Sequence, residues 1–204
     1  MPRLFTGLEI PSDLALTLTE LRGGLPGATW IDPENYHVTL RFIGDVDERI
    51  ADEIADALAR VRRPAFDVRI RGIDYFGGRQ PHSVFAKVEP TPALMELQAE
   101  HERIMQRLGL DPEGRKYHPH ITIARVKGAQ ARDVAHWLDV RGGFPGGRFR
   151  AERAVLFSSR ASKGGGPYIV EDEYPFVAAA PATRRDPVVV ARMYPRAIRS
   201  VPAS

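Results

Sequence analysis

Between residues 36 and 44 the chain alternates apolar and polar positions. Tyr36, Val38, Leu40 and Phe42 fall on one side, and His37, Thr39 and Arg41 on the other. A period of two places these residues on a strand whose first face is buried. The second face presents a titratable base, a hydroxyl and a cation in a row. A second strand of the same kind lies at Tyr117-His118-Pro119-His120-Ile121-Thr122-Ile123-Ala124-Arg125. His120 follows His37, and Thr122 follows Thr39, by the same 83 positions. One His-x-Thr strand is weak evidence, whereas two in matching context point to a site.

The remaining pattern predicts a repeated order of elements. A strand over residues 3–10 leads to a helix over 12–22, with Ser12 as its N-cap. Trp30-Ile31 adds a short strand before the first histidine strand. Asp45-Val46-Asp47 then caps a helix of about 15 residues, in which Ile50, Ile54, Ala57, Leu58 and Val61 recur at helical spacing. Pro64 ends it, and residues 66–76 return as a strand. The second half repeats strand (83–89), helix (91–108), histidine strand, helix (129–140) and strand. In the 91–108 helix the apolar stripe is Leu94, Leu97, His101, Ile104, Met105 and Leu108. Val134, Trp137 and Phe149 fall 83 positions after Ala51, Ile54 and Phe66, so the order reflects an eroded duplication of about 1–78 and 79–177. A Gly-rich loop over 158–166 precedes a last strand over 167–176. After that the chain turns to Ala, Pro, Arg and Val without sustained period, a flexible tail over 178–204 in which Val188-Val189-Val190 is a candidate edge strand.

Composition narrows the chemistry. The 204 residues are 43% hydrophobic, enough for a sizeable core, and none is cysteine, so disulfides, thiol catalysis and cysteine-held metals are excluded. No apolar run reaches the roughly 18 residues of a membrane span, and the N-terminus lacks a signal-peptide layout. A cytoplasmic protein, soluble and monomeric, is the expectation. The pI of about 9.4 suggests a nucleic-acid partner until the charge is located. Five arginines against Asp186 give residues 177–204 a net charge of +4, so residues 1–176 carry −1 of the total of +3. Affinity for an anion must therefore come from local residues of the body.

Two half-domains that each project one histidine can close so that the imidazoles flank a common cleft. With an ordinary pKa near 6.5, one imidazole can be neutral and the other protonated near neutrality. Such a pair suits a reaction needing a base to activate water and an acid to protonate a departing oxygen. A threonine two residues on lies on the same face, about 7 Å along the strand. Two such hydroxyls match the two non-bridging oxygens of a phosphodiester, a clamp that needs no metal. A competing reading makes His37, His118 and His120 a metal site, but no carboxylate joins them and the threonines would be idle. His82, His101 and His136 lie in a loop or on helices and read as surface or structural residues. Gly164-Gly165-Gly166 reads as a flexible loop, since no helix follows it to make a phosphate cradle.

These motifs resemble the 2H phosphoesterases, and among them the bacterial RNA 2',3'-cyclic phosphodiesterases, also called 2'-5' RNA ligases. The resemblance spans about residues 2–176. It comprises Arg3-Leu4-Phe5, His37-Val38-Thr39-Leu40-Arg41-Phe42-Ile43-Gly44, the second histidine strand with Ile123 where leucine is usual, Leu156-Phe157-Ser158-Ser159 and Gly166-Pro167-Tyr168. It implies an α+β fold of two pseudo-symmetric lobes over residues 1–177, each an antiparallel sheet with helices outside and the cleft between. It also implies an enzyme without cofactor that opens RNA 2',3'-cyclic phosphate ends to 2'-phosphates. His37 would be the proton donor, His120 the proton acceptor, and Thr39 and Thr122 the phosphate clamp. Arg41, Arg125, His118, Phe5 and Tyr168 are further candidates for substrate contact, the last two by stacking on the terminal base. Arg41 shares the face of His37, whereas Arg125 by alternation points away from His120 and needs a twist or bulge to reach substrate. The alternatives are the ligase reaction as the physiological role, a phosphodiesterase for a small cyclic nucleotide, and a non-catalytic RNA-end binding module.

Overall fold

The computed structural model describes residues 2–159 and 166–177. Among the described residues nine strands and four helices follow one another in an order close to that predicted. β1 (Arg3–Glu9) leads through α1 (Ser12–Thr19) and β2 (Ala28–Trp30) to β3 (His37–Asp45). Then come α2 (Glu48–Leu58), β4 (Phe66–Phe76), β5 (Ser83–Val88), α3 (Pro92–Arg107) and β6 (His120–Val126). The chain closes with α4 (Ala131–Arg141), β7 (Gly147–Ala151), β8 (Arg153–Ser159) and β9 (Tyr168–Pro175). At α1 the structure differs from expectation: Pro11 is the cap residue, Ser12 is already helical, and no side chain caps the start. Asp47 does cap α2, its carboxylate accepting from the Ile50 amide at 2.8 Å. Ser158 and Ser159, expected in the Gly-rich loop, belong to β8, and residues 160–165 of that loop lie outside the described residues. The tail over 178–204, with Val188-Val189-Val190, lies outside the described residues.

The strands form one antiparallel sheet in the order β7-β4-β5-β6-β3-β1-β8-β9, with β2 beside β6. Two half-sheets meet where β3 pairs with β6 through Val38 and Ile121 alone. These two residues are 83 apart, so the duplication offset places them as equivalents, with a pseudo-twofold axis running between them. α2 and α4 are both eleven residues long and start at the same offset. The lobes are not the contiguous halves of the chain, however. β4 joins the half-sheet of β5 and β6, while β8 and β9 join that of β1 and β3. The first half thus lends β2 and β4 to the other lobe, and the second half lends β8 and β9.

The main core lies on one face of the sheet, where Val38, Leu40, Ile121 and Ile123 are at most 2% exposed. Burying each such side chain contributes about 1.5–3 kcal/mol. A register slip of one residue would turn these four outward and the histidines inward. The polar row on the opposite face is therefore fixed by its apolar neighbours. α3 closes the core as its stripe predicts, burying Leu94, Leu97, His101, Ile104 and Met105. No helix among the described residues is long and apolar enough to cross a membrane.

Candidate active site

His37 and Thr39 stand on β3, and His120 and Thr122 on β6, all half-buried on the face opposite the main core. The two strands meet at Val38 and Ile121, so the histidines flank the pseudo-twofold axis. Each imidazole is oriented in the same way. His37 Nδ1 donates to the Asn35 carbonyl at 2.8 Å, and His120 Nδ1 donates to the His118 carbonyl at 2.6 Å. A carbonyl can only accept, so the neutral ring carries its proton on Nδ1 and keeps Nε2 free for chemistry. Asn35 and His118 are themselves 83 apart, so the orienting contact was duplicated together with the base. His118 contributes this carbonyl, while its side chain is exposed. Among the described residues no three His, Asp or Glu side chains gather to hold a metal ion, so the three-histidine arrangement is not formed.

Each histidine also leans on aromatic rings. Phe5 lies 4.9 Å from His37 by ring centres, Tyr168 meets it edge-on at 5.1 Å, and Phe157 is 5.8 Å away. Around His120 the partners are Phe76 at 5.0 Å and Phe85 at 5.2 Å. Phe5 and Tyr168 were legible as candidates, whereas Phe76, Phe85 and Phe157 were not assigned to the site. β1, β5 and β8 are buried on both faces, so no alternation marks which of their residues look into the cleft. Gly7 permits the close fit: a Cβ there would lie 2.9 Å from the Val38 carbonyl oxygen. Asn35 is buried and ties the ends together, its Oδ1 accepting from the Tyr168 amide at 3.0 Å.

A matched pair of bulges decides the role of the arginines. Gly7 faces Thr39 but Thr6 faces Arg41, so β3 has Leu40 as an extra residue. Phe85 faces Thr122 but Val84 faces Ala124, so β6 has Ile123 as an extra residue. Beyond each bulge the alternation inverts. Arg41, expected beside His37, instead turns to the core side and is only 7% exposed. It meets the Glu102 carboxylate of α3 at 2.5 Å and donates to the carbonyls of Phe42 and Asp111. The Arg41 Nε–H is poorly aligned with the carboxylate, so that contact is an ion pair and not a hydrogen bond. Phe42, expected in the core, is 40% exposed and lies under the Arg3 guanidinium at 5.2 Å. The same inversion brings Arg125 to the histidine face, where its charge is felt by both rings.

Burial, with smaller contributions from the charges of His120 and Arg125, lowers the pKa of His37 from 6.5 to about 4, against the opposing pull of the Asn35 carbonyl. His120 is lowered for the same reason, burial first, then Arg125 and His118. Both rings are therefore neutral near pH 7 in the free protein. An anion between them supplies the opposite charge that restores a proton to one ring.

His101 lies outside the cleft at 1% exposure, its Nδ1 2.9 Å from Thr6 Oγ1. Burial lowers its pKa to about 4. An unfolded chain protonates His101 below about pH 6.5 while the folded chain does so only near 4, so stability falls with falling pH across that window and levels off below it. The loss approaches 1.4 kcal/mol per pH unit at its steepest. Denaturant midpoints between pH 4 and 6.5 should fall less steeply for His101→Gln than for the wild type. His37 adds the same dependence, so the slope is reduced and not removed.

A bilobal antiparallel sheet with a His-x-Thr strand from each lobe, related by a pseudo-twofold, has the build of a 2H phosphoesterase. The sequence profile of the 2'-5' RNA ligase superfamily matches residues 10–163, and the chain belongs to that superfamily. A protein of Aeropyrum pernix named RNA 2',3'-cyclic phosphodiesterase is 40% identical over 109 residues, which cover 52% of this chain and 61% of that protein. A Thermotoga maritima protein of the same name is 37% identical over 132 residues, covering 61% and 70% respectively. Two solved structures share the fold. Thermus thermophilus TT0787 superposes with a TM-score of 0.71 at 23% identity over 85% of this chain and 97% of its own. E. coli LigT complexed with 3'-AMP gives 0.71 at 20% identity over 86% and 99%.

Proposed function

We propose that this protein hydrolyses RNA 2',3'-cyclic phosphate ends to 2'-phosphates, without a metal, by acid–base catalysis between His37 and His120. The observation that carries the reading is the duplicated imidazole with Nδ1 held by a carbonyl and Nε2 free, each with a threonine two residues on. The names of the similar Aeropyrum and Thermotoga proteins support the same substrate.

In this mechanism His120 Nε2 takes a proton from water as the water oxygen bonds to phosphorus. The P–O3' bond breaks, and O3' takes the proton that His37 Nε2 carries. The products are a 2'-phosphate and a free 3'-hydroxyl. Thr39 and Thr122 donate to the two non-bridging oxygens, and Arg125 offsets the charge that grows on them, a contribution of about 3 kcal/mol or more for a well-placed donor. Exchange with solvent then returns the proton from His120 to His37. The ligase direction uses the same groups with a ribose hydroxyl in place of water, and the great excess of water favours hydrolysis.

Turnover of an oligonucleotide with a 2',3'-cyclic end, compared with a mononucleoside 2',3'-cyclic phosphate, tests the substrate. Activity on the mononucleotide alone would place the protein among small-nucleotide phosphodiesterases. Activity should persist after exhaustive chelation, because acid, base and clamp are all side chains. Loss on chelation with recovery on adding zinc would overturn the metal-free mechanism.

The pH profile should be a bell, since one ring must be neutral and the other protonated. Both free-enzyme values are depressed, so the bell in kcat/KM should lie between the His37 value of about 4 and the ordinary 6.5. The bound phosphate raises both values, so the bell in kcat should lie at higher pH. A kcat optimum on the acid side of the kcat/KM optimum would contradict this electrostatic picture.

A further inference from the structure

The two carbonyls that orient the imidazoles are held in different ways. The Asn35 carbonyl belongs to the Pro33–Asn35 turn. That turn is closed by the Asn35 amide on the Asp32 carbonyl at 2.9 Å and the Tyr36 amide on the Pro33 carbonyl at 3.1 Å. The Asn35 side chain adds its bond to the Tyr168 amide. The His118 carbonyl instead belongs to a segment, residues 110–119, with neither helix nor strand. Among the described residues, 111–118 make no hydrogen bond from backbone to backbone. Pro119 follows, and it has no N–H to give. The duplication copied the carbonyl but not the turn beneath it.

Side chains hold this segment. Arg41 donates to the Asp111 carbonyl, and Glu102 accepts from the Glu113 amide at 3.1 Å. Both anchors lie at least five residues before His118. Among the described residues, one hydrogen bond alone leaves residues 116 and 117: the Tyr117 hydroxyl donates to the Thr39 carbonyl at 2.9 Å. Thr39 is fixed independently of the segment, because β3 pairs with β1 at Gly7 and Thr39. β3 and β6 pair through Val38 and Ile121 alone, so no longer ladder ties the two strands here. Burial raises the pKa of the Tyr117 phenol, so it stays protonated and able to donate. Tyr117 stands 83 positions after Glu34, the middle residue of the first turn. A side-chain bond across the junction thus stands where the first half has a backbone turn.

We propose that Tyr117 is a positioning residue: its hydroxyl, anchored on the Thr39 carbonyl, holds the His118 carbonyl against His120 Nδ1 and so keeps His120 Nε2 aimed at the attacking water. The inference rests on the reading of His120 as the base. It makes the two histidines unequal, since His120 depends on one phenol hydroxyl while His37 keeps its own turn.

The test is Tyr117→Phe, which keeps the ring and removes only the hydroxyl. On a mononucleoside 2',3'-cyclic phosphate kcat should fall by about tenfold or more, because small misplacements of a reacting group are costly. KM should stay within about twofold, since the proposed phosphate clamp is left in place. A thermal melt should show the variant folded at the assay temperature. In a His120→Ala background the same substitution should cost no more than about twofold, as expected of a residue that acts through His120. An equal loss in both backgrounds would overturn the proposal, and so would wild-type kcat in Tyr117→Phe. Proton NMR of the imidazole Nδ1–H signals, assigned with His37→Ala and His120→Ala, judges the positioning without turnover. The His120 signal should exchange faster with water in Tyr117→Phe while the His37 signal stays unchanged. That result supports the positioning even if no cyclic phosphate is hydrolysed, in which case the hydrolytic reading alone fails. An unchanged His120 signal would overturn the proposal and leave the hydrolytic reading intact.

Discussion

Replacing His37 or His120 by alanine should each lower kcat by about a thousandfold, within the range that positioned acid–base groups supply. The double variant should be little slower than either single one, because in the proposed mechanism the two rings act together as acid and base and losing either disables the step. Thermal melts of all three variants should stay close to the wild type at neutral pH. His37 is half-buried on the cleft face, and the core beneath it is held by Val38 and Leu40. The loss should appear in kcat more than in KM, since the proposed clamp of Thr39, Thr122 and Arg125 is left in place. Losses that multiply in the double variant would mean that the histidines act independently.

The second large effect separates two arginines that look alike in the sequence. Arg41→Ala should destabilise the fold by about 3–5 kcal/mol, because it leaves the largely buried Glu102 carboxylate without its ion-pair partner. It also frees the Asp111 carbonyl, at the start of the loop that feeds β6. Arg125→Ala should leave the melting temperature nearly unchanged and lower kcat/KM by about tenfold or more, as expected for one charged contact to a phosphate. Denaturant titration beside steady-state kinetics on both variants would show the contrast. A stable, impaired Arg41→Ala would mean that this guanidinium reaches the cleft after all.

Much of the site was legible because alternation fixes faces. Val38 and Leu40 had to be buried, so His37 and Thr39 had to face away, and the same holds for His120 and Thr122. The offset of 83 made the pair recognisable as a unit. It also located the axis, since the one pairing between the half-sheets joins equivalent residues. Alternation misled at Arg41 and Phe42, because the bulge that inverts them is a relation between strands. It shows only in the register of Thr6 and Gly7 against β3. The need for a bulge before Arg125 could contact substrate was visible in the sequence, but its existence was not. The exchange of β4 and β8 between lobes was hidden for the same reason: a strand's own sequence marks its faces and not its neighbour. The aromatic packing on His120 follows from that exchange, since Phe76 arrives on β4 from the other half of the chain.

A cyclic phosphate has two ribose oxygens that can leave, and a clamp that merely binds phosphate would release either. In the proposed mechanism the two threonines hold the phosphate and His37 alone serves as the acid, so only one ribose oxygen can leave. Phosphorus NMR of the products from a mononucleoside 2',3'-cyclic phosphate tests this most directly. Only the 2'-phosphate is expected, at every stage of the reaction. A mixture of 2'- and 3'-phosphates would show that the ring is not fixed between the histidines, and would contradict the assignment of His37 as the acid facing O3'.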